Sequence, residues 1–321
     1  MKRTWMTIFV LSVFGAGCSG CRPGSTSDSG TLEQLRVGVI PVLSGLPSFV
    51  AIDDGLFLEE GFNPVFQEYR SSDLVVAAAK NKEIDLIGVA GMTQILESVE
   101  KGPETLQLLG VLFSSTCLVV PTSSAVTGVA DLRSANIATF PGSVFARYAK
   151  EALSKNGADV EGLVFMPMAP GLQIQALQLM EVGAAYTLEP TCAEAVARGV
   201  ARYLVGQDLF STAFLDGRAF PGGGVAARRD FLVGGKDRSA RLLAVYGKAM
   251  QRLRSPKPPT SYLLRHTTLT REFAPTVKYE GAQFGGEIDR DLVLALHTKL
   301  IEWGFLGRPL SAKVFEVASA N

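Results

Sequence analysis

The chain has 321 residues and 47% apolar content, enough to bury two cores of ordinary domain size, so a two-lobed body is the starting expectation. Lysine plus arginine and aspartate plus glutamate each total 31, which excludes a basic field for nucleic acid and an acidic disordered arm. A small molecule or another protein is therefore the expected partner.

Lys2 and Arg3 precede an apolar run from Trp5 to Phe14, and the small residues Gly15-Ala16-Gly17 follow, which is the layout of a cleaved export signal over residues 1–17. The run is well short of the roughly 20 residues that span a bilayer. A mature protein without a membrane span is expected. Small residues followed by Cys18 resemble the lipobox of bacterial lipoproteins, although Gly15 stands where that motif usually has leucine. The resemblance implies that Cys18 becomes the lipid-bearing N-terminus, with Cys21 as a second site. The Ser- and Gly-rich stretch that follows makes residues 18–34 a flexible tether. Two patterns here carry no chemistry. Gly15-Ala16-Gly17-Cys18-Ser19-Gly20 fits a dinucleotide fingerprint but lies in the leader, and Cys18-Ser19-Gly20-Cys21 has no second Cys/His pair at metal-binding distance.

From Leu35 onward, short β-branched runs alternate with amphipathic stretches, the pattern of mainly parallel sheets with crossover helices. Strands are predicted at Arg36–Ile40, Val65–Tyr69 and Ile84–Val89. Helices are predicted from Ser48 to Asp54, stopped by Gly55, and from Ser72 or Asp73 to Lys80. Leu118–Pro121 leads into a second set. There, strands at Asn136–Thr139, Val164–Met166 and Ala184–Thr187 enclose helices at Val144–Leu153 and Leu172–Met180. Val225–Ala227 reads as a return strand, and helices at Arg241–Leu253 and Asp291–Trp303 complete the first lobe. The expected architecture is α/β: one lobe of residues 35–117 and 222–321, a second of residues 118–221, and two crossover strands between them. Cys117 and Cys192 are expected as two buried thiols, with a bridge left open in an oxidising compartment.

An ordered series of motifs accompanies this pattern. Leu35-Arg36-Val37-Gly38 opens it, followed by Ala51-Ile52-Asp53-Asp54-Gly55-Leu56-Phe57-Leu58-Glu59-Glu60-Gly61 and Glu83-Ile84-Asp85-Leu86. Gly128-Val129-Ala130-Asp131-Leu132, Tyr186-Thr187-Leu188-Glu189-Pro190 and Trp303-Gly304-Phe305-Leu306 complete it. With these residues the chain resembles the nitrate/sulfonate/taurine-type and pyrimidine-precursor-type solute-binding proteins of ABC importers. The resemblance implies a two-lobed periplasmic binding protein fold of type II. Lys82 stands where a glycine is common, and Met180-Glu181-Val182-Gly183-Ala184 departs from the usual small-residue pattern.

An open α/β sheet offers its crevice outside the carboxyl ends of its strands. That rule selects Ser44, Gly45 and Leu46 after the first strand, Ser71 and Ser72 after the second, and Gly91, Met92 and Thr93 after the third. In the second lobe it selects Pro141, Gly142 and Ser143, the Ala169-Pro170-Gly171 turn, and Glu189. Glu189 is expected to face the crevice and touch ligand. Ser71, Ser72 and Ser143 serve equally as helix caps. An anionic solute favours Arg70 or Arg147, whereas a cationic or aminated heterocycle favours Glu189 with stacking from Phe140 or Tyr186.

Neither His266 nor His297 falls at a strand end, and no nucleophile or metal-ligand spacing emerges. The expectation is a monomeric extracytoplasmic binding lipoprotein without catalytic residues, cofactor or metal, delivering its solute to an ABC permease and ATPase. An enzyme on the same scaffold, of pyrimidine-precursor or menaquinone-branch type, is the alternative, as is a sensory lipoprotein independent of transport.

Overall fold

The computed structural model describes residues 32–102, 105–142, 144–206, 208–255 and 259–316. Residues 1–17, expected as an export signal, Cys18, expected as the lipid anchor, and most of the expected tether lie outside the described residues. Among the latter the strands are β1 (Glu33–Val39), β2 (Phe62–Glu68), β3 (Leu86–Gly91), β4 (Leu106–Ser114), β5 (Thr116–Pro121) and β6 (Asn136–Thr139). β7 (Val164–Pro167), β8 (Ala184–Leu188), β9 (Ala201–Val205), β10 (Phe220–Arg228) and β11 (Ala282–Phe284) follow. They form two sheets, one of order β11-β4-β10-β3-β1-β2 and the other of order β7-β6-β8-β5-β9.

In the first sheet β1 is parallel to β2 and β3, and β10 runs antiparallel between β3 and β4. The short β11 opposes β4 at the edge. In the second sheet β6 is parallel to β7 and β8, while β5 opposes β8 and β9. The mainly parallel direction expected from the sequence is thus present. The opposing strands β5 and β10 are the first in their sheets after the chain crosses over. A strand that starts where the preceding one delivered the chain must run away from that place, so Thr116 of β5 lies opposite Leu188 at the end of β8, and Phe220 of β10 opposite Ser114 at the end of β4.

Local chemistry sets most of the elements. β3 reads Leu-Ile-Gly-Val-Ala-Gly and is buried almost throughout, as a strand covered on both faces requires. Leu56 and Phe57 are fully buried beneath the first sheet, and Gly61 at φ +78° turns the chain into β2. The tether gives way sooner than expected. Glu33 and Gln34 already pair with Phe62 and Asn63, and the Glu33 carboxylate is held by Arg238 and by Arg241 at 2.9 Å. Asp85, part of one motif, accepts from Arg36 Nε at 2.9 Å and Nη2 at 2.7 Å and lies 3.6 Å from Arg228, so its role is to neutralise two arginines at the foot of the sheet.

The first core does not stop at its own sheet. Val144, Phe145 and Tyr148, on and beside the helix Phe145–Lys155, pack into it, as do Phe210 and Leu215. Tyr148 meets Phe210, Phe220 and Trp303 with ring centroids 4.8, 5.6 and 6.1 Å away. An aromatic pile therefore joins a helix of the second sheet to elements of the first. The second sheet has separate apolar clusters, one around Tyr186 and Leu153 and one around Ala185 and Leu177.

Candidate functional site

Because the direction of most strands is shared within each sheet, their carboxyl ends gather at one place. Pro41 to Ser44 follow β1, Ser114 and Ser115 link β4 to β5, Phe140 follows β6, and Leu188 to Thr191 follow β8. Together with Phe113, Pro170, Glu194, Thr267 to Leu269 and Glu280, they line a cleft. A second hollow adjoins it, sharing Ser115, Glu189 and Glu280 and adding Thr116, Tyr203 and Asp208.

Glu189 stands in the wall between the two hollows. Its peptide N–H donates to Ser115 O at 2.9 Å, which fixes the β8 end against the link between the sheets. The Glu189–Pro190 peptide bond is cis. One carboxylate oxygen accepts from Ala193 N–H at 3.0 Å, in the first turn of the helix Thr191–Ala197, and the other from the Tyr203 hydroxyl at 2.6 Å. Burial, reinforced by the Glu280 carboxylate, pushes Glu189 above its ordinary pKa, against these two hydrogen bonds that favour the charged form. A carboxylate offers about four lone-pair sites, so two donors leave it able to accept more.

The residues selected from strand ends take different places. Ser44 and Glu189 line the cleft, and so does Pro170 of the Ala169–Gly171 turn. Gly45 precedes the helix Leu46–Asp53, and Leu46 is buried in the core. Ser71 caps the helix Ser72–Lys80, accepting from Leu74 N–H at 3.4 Å, and Ser72 Oγ accepts from Gly91 N–H at 2.8 Å. Met92 is buried, and the Thr93 hydroxyl is bonded to that of Tyr148. Pro141 and Gly142 are half-buried beyond Phe140, and Ser143 lies outside the described residues.

Several expected contacts are not made. Tyr186 is buried with its hydroxyl donating to Thr116 Oγ1 at 3.1 Å, so it packs the second core and does not line the cleft. Arg147 pairs with Glu151 one helical turn away, and Arg70, exposed after β2, is not among the lining residues. Cys117 and Cys192 are a disulfide, correcting the expectation of two free thiols. β5 and the first turn of the helix Thr191–Ala197 bring their Cα atoms to 6.3 Å, within bridging distance. Both sulfurs lie beside the Glu189 carboxylate, but bonded to each other they present no thiolate to a metal.

Sequence reasoning missed Phe113, Ser114 and Ser115 because β4 went unrecognised. Its largely apolar run Leu108–Phe113 is followed closely by that of β5, and only Ser114, Ser115 and Thr116 mark the boundary. It missed Thr267 to Leu269 and Glu280 because they lie in irregular segments of no periodicity. Tyr203 was signalled only by alternation within a strand that was not recognised.

Many solved structures share this fold, three of them as follows. The periplasmic aliphatic sulphonate binding protein SsuA of Escherichia coli superposes with a TM-score of 0.69 at 17% identity, over 90% of this chain and 94% of that one. The alkanesulfonate-binding SsuA of Xanthomonas axonopodis, bound to MOPS, gives 0.67 at 18% identity over 89% and 99%. The periplasmic nitrate-binding protein NrtA of Synechocystis gives 0.66 at 15% identity over 88% and 84%. The architecture is thus the generic periplasmic binding protein fold, and these similar structures are binding proteins. Residues 44–245 match the NMT1/THI5-like family, and the chain belongs to it. Comparison with curated proteins gives no match.

Proposed function

We propose that this chain is an extracytoplasmic solute-binding lipoprotein that hands a small molecule to an ABC permease and its ATPase. The observation that carries this reading is the cleft itself, built where strand ends of two sheets meet and floored by the Ser114-Ser115 link between them. Residues 35–117 with 222–321 form one lobe and residues 118–221 the other. A solute that touches both walls favours their closed arrangement, and that difference in affinity is all the delivery cycle requires of the binding protein. The solute-binding function of the structural relatives supports the assignment. No helix among the described residues is long and apolar enough to cross a membrane, and in this reading Cys18 holds the monomeric protein to the membrane through lipid.

A thermal-shift panel of sulfonates, inorganic anions, pyrimidines and amines tests the binding role, because a ligand of the folded state raises its stability. A saturable rise for at least one class is expected. Chemical turnover of the bound compound would replace the reading with an enzymatic one. Intact-mass analysis of membrane-fraction protein tests the anchor, and an unmodified N-terminus elsewhere than Cys18 would remove it.

A further inference from the structure

We infer that the cleft selects a cationic solute, a protonated amine or an amidinium, in contrast to the sulfonate and nitrate named for its structural relatives. This rests on the reading of the cleft as the solute site. Three observations carry it.

The first is charge. The chain as a whole is balanced, with 31 basic and 31 acidic residues, yet among the described residues the cleft is lined by Glu189, Glu194 and Glu280 and by no lysine or arginine. The adjoining hollow adds Asp208, again without a basic lining residue among those described. Glu194 is paired with Arg198 on its own helix, but Glu280 makes no ion pair among the described residues. An anion entering here meets like charge at close range in a partly desolvated place, where screening is weakest.

The second is the state of the anion-binding devices that this fold offers. A helix N-terminus at a strand end normally presents free N–H groups to an anion. Here the N–H of Ala193, in the first turn of Thr191–Ala197, is already taken by the Glu189 carboxylate at 3.0 Å. A second helix start at the cleft is Pro170, which has no N–H, and the N–H groups of Leu172 and Gln173 are bonded to Ala169 O at 2.9 and 3.0 Å. A third is the start of Leu46–Asp53, reached through the lining residues Leu43 and Ser44, where Gly45 N–H is bonded to Val42 O at 3.0 Å, Leu46 N–H to Leu43 O, and Pro47 has no N–H. Arg147 is engaged with Glu151 and Arg202 with the carbonyls of Ser124 and Val126, and Arg70 is exposed after β2 and is not a lining residue.

The third is the pairing of acceptor with aromatic surface. Glu189 is oriented by the Tyr203 hydroxyl at 2.6 Å and keeps lone pairs for a further donor, and Phe113 and Phe140 line the same cleft. A carboxylate beside aromatic faces is the combination that holds an ammonium or amidinium group.

The test titrates the full processed chain with benzamidine and putrescine as cations, ethanesulfonate and nitrate as anions, and uracil as a neutral probe, by calorimetry and thermal shift. Cations are expected to bind and to weaken as salt rises. Glu280→Gln, at an exposed position, should weaken cation binding by about two- to fivefold, and Glu189→Gln by about thirtyfold or more. If Glu189→Gln fails to fold, the Glu280→Gln comparison still decides. Binding of an anion or of uracil with cations excluded would overturn the charge assignment and leave the binding role standing. Cation binding unchanged in both variants would also overturn it. No binding by any probe would overturn the charge assignment and the binding role together.

Discussion

Tyr148, on a helix of the second sheet, shares a hydrogen bond with Thr93 on the helix Met92–Lys101 of the first. Both side chains are buried, so neither hydroxyl has water to turn to. Thr93→Val should therefore leave the Tyr148 hydroxyl unsatisfied at a cost of about 1–3 kcal/mol. Tyr148→Phe should cost a similar amount, and the double variant should cost clearly less than the two together, because one shared bond is lost only once. Urea unfolding of the four proteins reads this directly. Simple additivity would show that the two hydroxyls are independent.

The disulfide Cys117–Cys192 closes a sequence separation of 75 residues. It ties β5 to the turn that carries Glu189, Pro190 and Thr191. Loss of that cross-link through Cys117→Ala with Cys192→Ala is expected to cost about 2–4 kcal/mol, chiefly by freeing the unfolded chain. Denaturant titration of oxidised, reduced and double-alanine protein should place the last two together. A reduced protein as stable as the oxidised one would refute this.

His297 is buried, with Nε2 lacking a partner among the described residues. Burial lowers its pKa, against the opposite pull of Glu100 and of the hydrogen bond at Arg308. Since the folded pKa lies below the unfolded one, the unfolded chain binds the proton first on acidification, and stability should fall as pH drops below about 6.5. His297→Gln should remove that component. Denaturant unfolding from pH 7.5 to 5 checks it, and parallel pH curves for the two proteins would count against it.

Gly110 in β4 lies beneath Phe284 of β11, where a Cβ would come within 2.3 Å of the ring. Phe284 is itself stacked on Tyr246 at 4.7 Å, so it has little room to yield. Gly110→Ala is expected to cost about 1–3 kcal/mol through overpacking. An alanine variant of unchanged melting temperature would mean that the edge strand adapts freely.

Much of the first half of the molecule was legible in its sequence. The alternation of β-branched runs with amphipathic stretches located β1, β2, β3 and the helices Leu46–Asp53 and Ser72–Lys80. The strand-end rule reached Ser44, Pro170 and Glu189 because each lies shortly after a strand whose apolar pattern marks where it stops. Such signals are local: side-chain periodicity within one element depends on the few residues that share a face.

What the sequence by itself determined is therefore the α/β alternation, the turns, and a carboxylate at the end of β8. Only the tertiary structure decided that β10 inserts between β3 and β4, that Cys117 meets Cys192, and that Tyr203 holds Glu189. It also decided that Glu280 and Thr267 to Leu269, from the late irregular chain, join Ser115 at one cleft, and that no basic residue among the described ones comes with them. These relations link residues far apart in the chain, and their free energy depends on how two sheets are packed and crossed. The periodicity of a single segment carries no trace of it.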